Sequence, residues 1–365
     1  TAFHFDATKF GIWLRDNYCV PKGVKHIKEE IKSIEQDTNG ILSLNKKHKA
    51  DLYIDCTGFK SLLIGETLKE EFISFSDLLP NNSAWATRIP YIDKKNELVS
   101  YTNCTAIENG WVWNIPLWSR IGTGYVYSDK FIDDDAALEQ FKKYLMKIEP
   151  YKLVPCDHLE FKKIKMKVGI HKRLWVKNVC AIGLSAGFIE PLESNGLFSV
   201  HEFLLELVRN LQRENVSQFD RDNFTYTCRN IFQNFAEFVA LHYALSHRDD
   251  TEYWRNNLNK EWSKDVTERK TTLALGIQQA IIDRNLAFHH SLDGGLHCIA
   301  AGMHWAPTDL FSLIKCNSNN NISHWNNMFE KATKNLENKK TNWKNSVKNV
   351  PSLYNFLKKN YYGNN

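Results

Sequence analysis

The chain has 365 residues, 43% hydrophobic and 24% charged, which fits a globular protein with two substructures sharing a core. Its formal net charge of +5 is spread among interleaved Lys and Asp/Glu with no long basic block, which argues against a nucleic-acid partner. No apolar run approaches the roughly 18 residues that span a bilayer and no signal-peptide pattern is visible, so no membrane partner is expected.

In chain order, Lys25 to Ile41 has the pattern of strands joined by a turn at Asp37-Thr38-Asn39-Gly40, with Ile31 in the strand Glu30 to Ile34. The run Leu52 to Cys56 reads as a buried strand. Residues from about 75 to 165 are strand-rich, with turn signals at Asn81-Asn82 and Glu108-Asn109-Gly110, and imply an antiparallel sheet. Val179-Cys180-Ala181-Ile182 has the length and composition of a buried parallel strand. Gly183 and Gly187 punctuate the loop after it, and Pro191 sets a rigid turn. A helical pattern then places apolar residues at Leu197, Val200, Leu204, Leu207 or Val208, and Leu211. Beyond it the chain is mostly helical, with a polar loop at Ser318-Asn319-Asn320-Asn321 and a fraying end at Gly363-Asn364-Asn365.

A strand, a glycine-bearing loop and an open helix N-terminus form an anion or phosphate site, because the first amides of a helix lack intrahelical partners. Ser194 and Asn195 suit an N-cap, and Gly196 lets a ligand approach the backbone. Glu193, immediately before the helix, is a cap or a catalytic group, and spacing alone leaves both open. Glu190 reads as structural. Trp111 and Trp113, two apart in a strand-like segment, project from one face, as core or as a wall of a site. The eight cysteines are scattered without a CxxC pair; Cys56 and Cys180 read as small buried hydrophobes, and a reducing, cytoplasmic setting is expected. His289-His290 and His297-Cys298 are adjacent pairs whose side chains diverge, so no metal site is expected.

Four strings carry a resemblance that spacing does not give. Phe188-Ile189-Glu190-Pro191-Leu192-Glu193-Ser194-Asn195-Gly196-Leu197 is similar to the signature loop of the flavin-dependent halogenases, the tryptophan halogenase family. Gly110-Trp111-Val112-Trp113-Asn114-Ile115-Pro116 resembles that family's G-W-x-W-x-I-P hallmark and continues into Arg120, Gly122 and Gly124 to Ser128. Asp51 to Phe59 is similar to D-x-x-I-D-C-[ST]-G-F, and Phe238 to Arg255, with His242-Tyr243, Arg248-Asp249-Asp250 and Tyr253-Trp254-Arg255, resembles a helical segment of the family. The four occur in the family's order and reach Trp254.

The resemblance implies an α/β fold: a flavin-binding Rossmann-like sheet of the glutathione-reductase type, an antiparallel substrate sheet and a helical C-terminal region. It divides the chain into 1–60 (flavin subdomain), 61–165 (substrate and tunnel sheet), 166–212 (return to the flavin subdomain) and 213–365 (helical region). It implies halogenation of an electron-rich aromatic, indole- or phenol-type with tryptophan among the candidates, with reduced FAD, dioxygen and halide giving hypohalous acid. The alternatives are a flavin-dependent aromatic hydroxylase and an inactive flavin-binding fragment. By the same resemblance Glu193 is the catalytic carboxylate, while Asn195 and Gly196 hold halide through their amides. Gly183, Leu184, Leu197 and, at the adenine end, Ile31 contact the flavin. Trp111, Trp113, Ile115 and Pro116 wall the tunnel between flavin and substrate. The Arg248-Asp249-Asp250 cluster and Trp254 read as helix-terminus structure. The expected partners are a separate flavin reductase and an aromatic small molecule, with a homodimer left open. Many family members carry Thr where Asn195 stands. No strand followed by G-x-G-x-x-G occurs in the chain, and in the family that loop and an essential lysine precede the His4-Phe5-Asp6 segment. A further N-terminal piece of about one hundred to two hundred residues is therefore expected, this chain alone is expected to be inactive, and no lysine here is assigned to catalysis.

Overall fold

A computed structural model describes residues 3–147, 156–274, 295–296, 298–300, 302–305 and 322–363. The His289-His290 pair, His297, Cys316 and the Ser318–Asn321 loop lie outside the described residues. The chain forms two compact units. The first comprises Thr1–Pro90, Tyr101–Ala240 and Arg248–Lys260; the second comprises Tyr91–Ser100, Leu241–His247 and Glu261–Asn365.

The first unit opens with helix α1 (Ala7–Leu14), capped by the Asp6 carboxylate, which accepts from Thr8 N and Lys9 N. Strands β1 (Ile34–Asp37) and β2 (Gly40–Leu44) pair as a hairpin across the turn read from sequence. The strand starts at Ile34, not Glu30. Ahead of it the Asn45 side chain accepts from Lys32 N and Ser33 N and donates to Glu30 O, satisfying backbone groups that a ladder would otherwise take. Ile31 thus sits in irregular chain. The hairpin docks on Asn178, whose carboxamide exchanges two 2.8 Å bonds with the backbone of Ile41. Gly40, at φ 129°, has no room for a side chain there, because a Cβ would fall 2.0 Å from Asn178 Oδ1.

Strand β3 (Tyr53–Asp55) runs parallel to β12 (Val179–Ala181), with Cys180 opposite Ile54; β12 also pairs antiparallel with β11 (Trp175–Val176). Every residue of β12 is buried, as the apolar run implies, but β3 is not buried on both faces: Tyr53 and Asp55 point inward while Ile54 stays 39% exposed. Cys56 lies past the end of β3 and is exposed, so it is not the buried hydrophobe its sequence suggests; Cys180 is. A second small sheet joins β4 (Phe72–Ser74), β10 (Gly169–His171) and β13 (Gly187–Phe188).

The largest sheet has the order β6-β7-β8-β5-β9 and is antiparallel throughout: β5 (Ser83–Ile89), β6 (Asn103–Ile107), β7 (Gly110–Leu117), β8 (Arg120–Tyr127) and β9 (Lys162–Lys165). This is the sheet expected between residues 75 and 165. Helix α3 (Asp134–Lys147) covers one face, burying Ala137, Phe141 and Leu145 at four-residue intervals. Tyr125 stacks near Phe141 and donates to Gln140 Oε1 at 2.6 Å, and Trp85 Nε1 donates to Asp134 O. Helices α4 (Asn195–Leu211) and α5 (Gln218–Ala244) follow, then α6 (Glu252–Asn259). In α4 the buried residues are Asn195, Phe203, Glu206, Leu207 and Asn210, whereas Leu197, Leu204, Val208 and Leu211 are exposed. The helix is apolar over more than one stripe, so periodicity could not say which one packs.

In the second unit the described elements are helical, including α2 (Lys94–Glu97), α7 (Lys264–Ala274), α8 (Ile322–Val347) and α9 (Leu353–Leu357). Trp305 stacks on His247 at 5.6 Å with Lys270 over its ring, and Tyr361 is exposed. No helix among the described residues is long and apolar enough to cross a membrane.

The end of β3 is fixed by one buried carboxylate. Asp55 Oδ1 accepts from Thr57 N and Thr57 Oγ1, and Oδ2 from Leu63 N and Ile64 N, all within 3.0 Å. Asp55→Asn would turn an NH2 group against some of these donors. We expect a stability loss of about 3 kcal/mol in urea unfolding, the scale of a buried network left partly unsatisfied. A loss under about 1 kcal/mol would show that the turn is held by other contacts.

Candidate functional site

Between β13 and α4 the chain reverses through two consecutive non-glycine residues in the left-handed region, Glu193 (φ 67°, ψ 12°) and Ser194 (φ 54°, ψ 38°). Such a pair persists only where its surroundings hold it. Asn195 does so: its side chain is 3% exposed, and Nδ2 donates to Glu190 O at 2.9 Å and to Leu192 O at 3.1 Å. Ser194 N donates to Pro191 O at 3.0 Å. Ser194 occupies the N-cap position but makes no side-chain cap bond. The first-turn amides of α4 therefore remain available as donors at the positive end of the helix.

Beside these amides lies a cavity of about 280 Å³, walled chiefly by Gly183, Leu184, Ile189, Asn195, Gly196 and Leu197. Of the residues singled out from sequence for flavin or halide, Gly183, Leu184, Leu197, Asn195 and Gly196 meet here; Ile31 does not line it. A Cβ on Gly196 would meet no atom within 4 Å, so the glycine leaves the space above the amides open. An apolar cavity edged by uncommitted amides suits a flat, largely apolar ring together with a small anion.

The large sheet carries the tryptophan pair read from sequence. Trp111 and Trp113 do share a face, with ring centroids 6.1 Å apart. Their cross-strand neighbours are small: Ala106 and Cys104 on β6, Val126 and Gly124 on β8. Gly124 is required there, since a Cβ would lie 2.2 Å from the Trp113 ring. The Trp111 Nε1–H is buried without a hydrogen-bonding partner among the described residues, leaving a donor for a ligand. Ile115 is half-buried on the same face by alternation. Pro116 is tolerated in a central strand because β6 begins opposite Asn114, so past that point β7 pairs only with β8. The Pro116 carbonyl and Thr102 Oγ1 each lie 3.1 Å from a ring nitrogen of His4, and Arg120 pairs with Asp6 at 2.9 Å.

Cys104 links this face to the loop. Cys104 is exposed as a residue, but desolvation of its sulfur pushes the thiol up to about 11, and the Glu193 carboxylate adds to the shift. Cysteine scatter gave no hint of this neighbour. One more residue escaped sequence reading. Asn81, read as part of a turn signal, is fully buried and donates from Nδ2 to Glu190 Oε2 at 2.7 Å, and its Oδ1 accepts from Tyr253 OH at 3.0 Å. The Arg248–Asp250 cluster and Trp254 hold the β6–β7 turn. Trp254 Nε1 and Arg248 both donate to Ile107 O, and the guanidinium lies 4.7 Å above the Trp254 ring. Thr251 caps α6 and donates to Glu108 O.

The family model described as tryptophan halogenase matches residues 1–317. Among curated proteins, the chain is 32% identical over 321 residues to tryptophan 6-halogenase ThaL of Streptomyces albogriseolus, covering 84% of this chain and 59% of that protein. It is 29% identical to tryptophan 7-halogenase RebH of Lentzea aerocolonigenes, covering 99% and 68%. Among solved structures, VirX1 in its apo form superposes with a TM-score of 0.84 at 36% identity, covering 99% of this chain and 69% of that one. Tar14, a tryptophan C-6 flavin-dependent halogenase from taromycin biosynthesis, gives 0.72 at 30%, covering 82% and 59%. The chain thus spans from about half to two-thirds of the length of the curated relatives it matches.

The approach of Glu193 to Cys104 can be checked without any turnover. Glu193→Gln removes a negative charge, so the Cys104 thiol should titrate lower, though still above an ordinary thiol because burial is the larger cause. Iodoacetamide labelling of Cys104, followed by peptide mass mapping across pH, should accelerate at a given pH in the variant. An unchanged profile would place the carboxylate elsewhere.

Proposed function

The chain belongs to the tryptophan halogenase family, and we propose that the protein halogenates an electron-rich aromatic substrate of the indole class with reduced FAD, dioxygen and halide. The observation that carries the reading is the turn before α4. One reversal of the chain places open amides beside an apolar cavity and leaves the Glu193 carboxylate exposed at the same turn. The residues fit the cofactor in kind: Leu184, Leu197 and Gly183 would flank its ring, with Gly196 leaving clearance. Reduced FAD, when bound, supplies the reducing equivalents that turn dioxygen and halide into hypohalous acid. A separate reductase would deliver it.

The chain's own residues would do the rest. The amides of Asn195 and Gly196 would hold the halide at the helix N-terminus. The Asn195 carboxamide is committed to its own loop, so it acts by shaping the turn and not by touching the anion. The Trp111–Trp113 face would exclude water and keep the aromatic substrate apart from the flavin. There the aromatic carbon attacks the halogen of hypohalous acid, the carbon–halogen bond forms as the oxygen–halogen bond breaks, and the departing hydroxide becomes water with the one proton that the substituted carbon gives up through Glu193. Glu193 would stabilise the positive charge on the ring and accept the proton released from the substituted carbon.

Glu193→Gln keeps the shape and removes the base. Halogenated product formation should fall roughly a hundredfold or more, as expected for loss of a positioned general base, while oxidation of reduced flavin continues because it precedes that step. Product at the wild-type rate would remove Glu193 from the chemistry. Failure of the wild type to bind FAD in a fluorescence titration, or to yield halogenated indole with a reductase present, would overturn the whole reading.

A further inference from the structure

The reading of Glu193 raises the question of what fixes the strained loop that carries it. Asn195 closes the loop on itself, which fixes its shape but does not attach it to the sheet. One attachment to the sheet runs through Glu190. Its side chain is fully buried and meets Asn81, itself fully buried just before β5; Asn81 in turn meets the hydroxyl of Tyr253 on α6. Tyr253 is held by edge contacts with Phe131 at 5.5 Å and Trp254 at 4.9 Å.

We propose that Asn81 is a positioning residue for the halogenation step, fixing Glu193 relative to the Trp111–Trp113 face through Glu190, with Tyr253 fixing Asn81. This rests on the proposed role of Glu193. The chemistry of the chain is directional. A carboxylate only accepts, so Asn81 must turn its NH2 toward Glu190, and its carbonyl is then left for the phenol, which donates. Only a side chain with one donor end and one acceptor end at this length links the two. An aspartate in its place would set carboxylate against carboxylate, and the loop would have to move.

The polarity can be inverted, which gives the test. In Asn81→Asp the donor to Glu190 is lost. In the double variant Asn81→Asp, Glu190→Gln, the new glutamine donates to the new aspartate, which still accepts from Tyr253, and the chain of bonds is rebuilt with the same atom count. Product formation should fall on the order of tenfold or more in Asn81→Asp and return to within about threefold of wild type in the double variant. Oxidation of reduced flavin should stay near wild type in all three. Hydrogen–deuterium exchange of the 187–197 amides, measured on the same proteins, should rise in Asn81→Asp and recover in the double variant. Wild-type product and exchange in Asn81→Asp would overturn the proposal, as would a folded double variant no better than the single one. A wild type that makes no halogenated product would instead overturn the functional reading, and the exchange pattern would still decide whether Asn81 holds the loop.

Discussion

Two adjacent left-handed residues, Glu193 and Ser194, are the constraint around which the functional half of the first unit is arranged. Each costs about 1–2 kcal/mol against an ordinary backbone, so the turn alone is unfavourable by about 2–4 kcal/mol. Hydrogen bonds that offset it include Ser194 N to Pro191 O, the two from Asn195 and the one from Asn81 to Glu190, each contributing about 1 kcal/mol or somewhat more. The turn therefore holds its shape only while the neighbours hold it, and each neighbour is a point at which the position of Glu193 can be lost.

The far side of the cavity is organised differently, by satisfaction and not by strain. Asp55 accepts four hydrogen bonds from the turn after β3, and its carbonyl accepts from Ser185 Oγ and Ile182 N. Ser185 O then accepts from Ser61. One residue at a strand end thus knits the turn after β3 to the Gly183–Ser185 turn after β12, the parallel pairing bringing both strand ends to one place. Leu184 is displayed from this platform, which explains how an exposed leucine keeps a fixed position beside the cavity.

What was legible in the sequence was whatever a local pattern encodes. The apolar run 179–182, the hairpin turns at Asp37–Gly40 and Glu108–Gly110, and the pair of tryptophans two residues apart all appear where alternation and turn chemistry put them. The family strings also marked the loop whose residues gather at the cavity. What was not legible depends on partners far away in sequence. Ile54 alternates outward in a run that reads as uniformly buried, and α4 packs on Phe203 and Leu207 because both of its candidate stripes are apolar. The β1 boundary is set by Asn45, and Cys56 falls one residue beyond the end of its strand. Asn81-Asn82 carries a composition shared by solvent turns and buried polar hubs, and only the arrival of Glu190, 109 positions later, decides between them.

The loop and the large sheet therefore differ in how rigidly they can be placed, and the bond from Asn81 to Glu190 connects them. Its neighbour Asn82 is built into the large sheet: Asn82 N donates to Tyr127 O, Met166 N donates to Asn82 O, and the Asn82 carboxamide bonds both the backbone and side chain of Asp129. A residue so fixed has the stiffness of five hydrogen-bonded strands behind it. The Asn195 carboxamide, by contrast, binds the Glu193 reversal to its own loop. The Asn81 amide couples that loop to the rigid sheet through Glu190. Glu190 is fully buried only three residues from an exposed Glu193. One carboxylate serves as an anchor so that the other can stand in the open at a defined place.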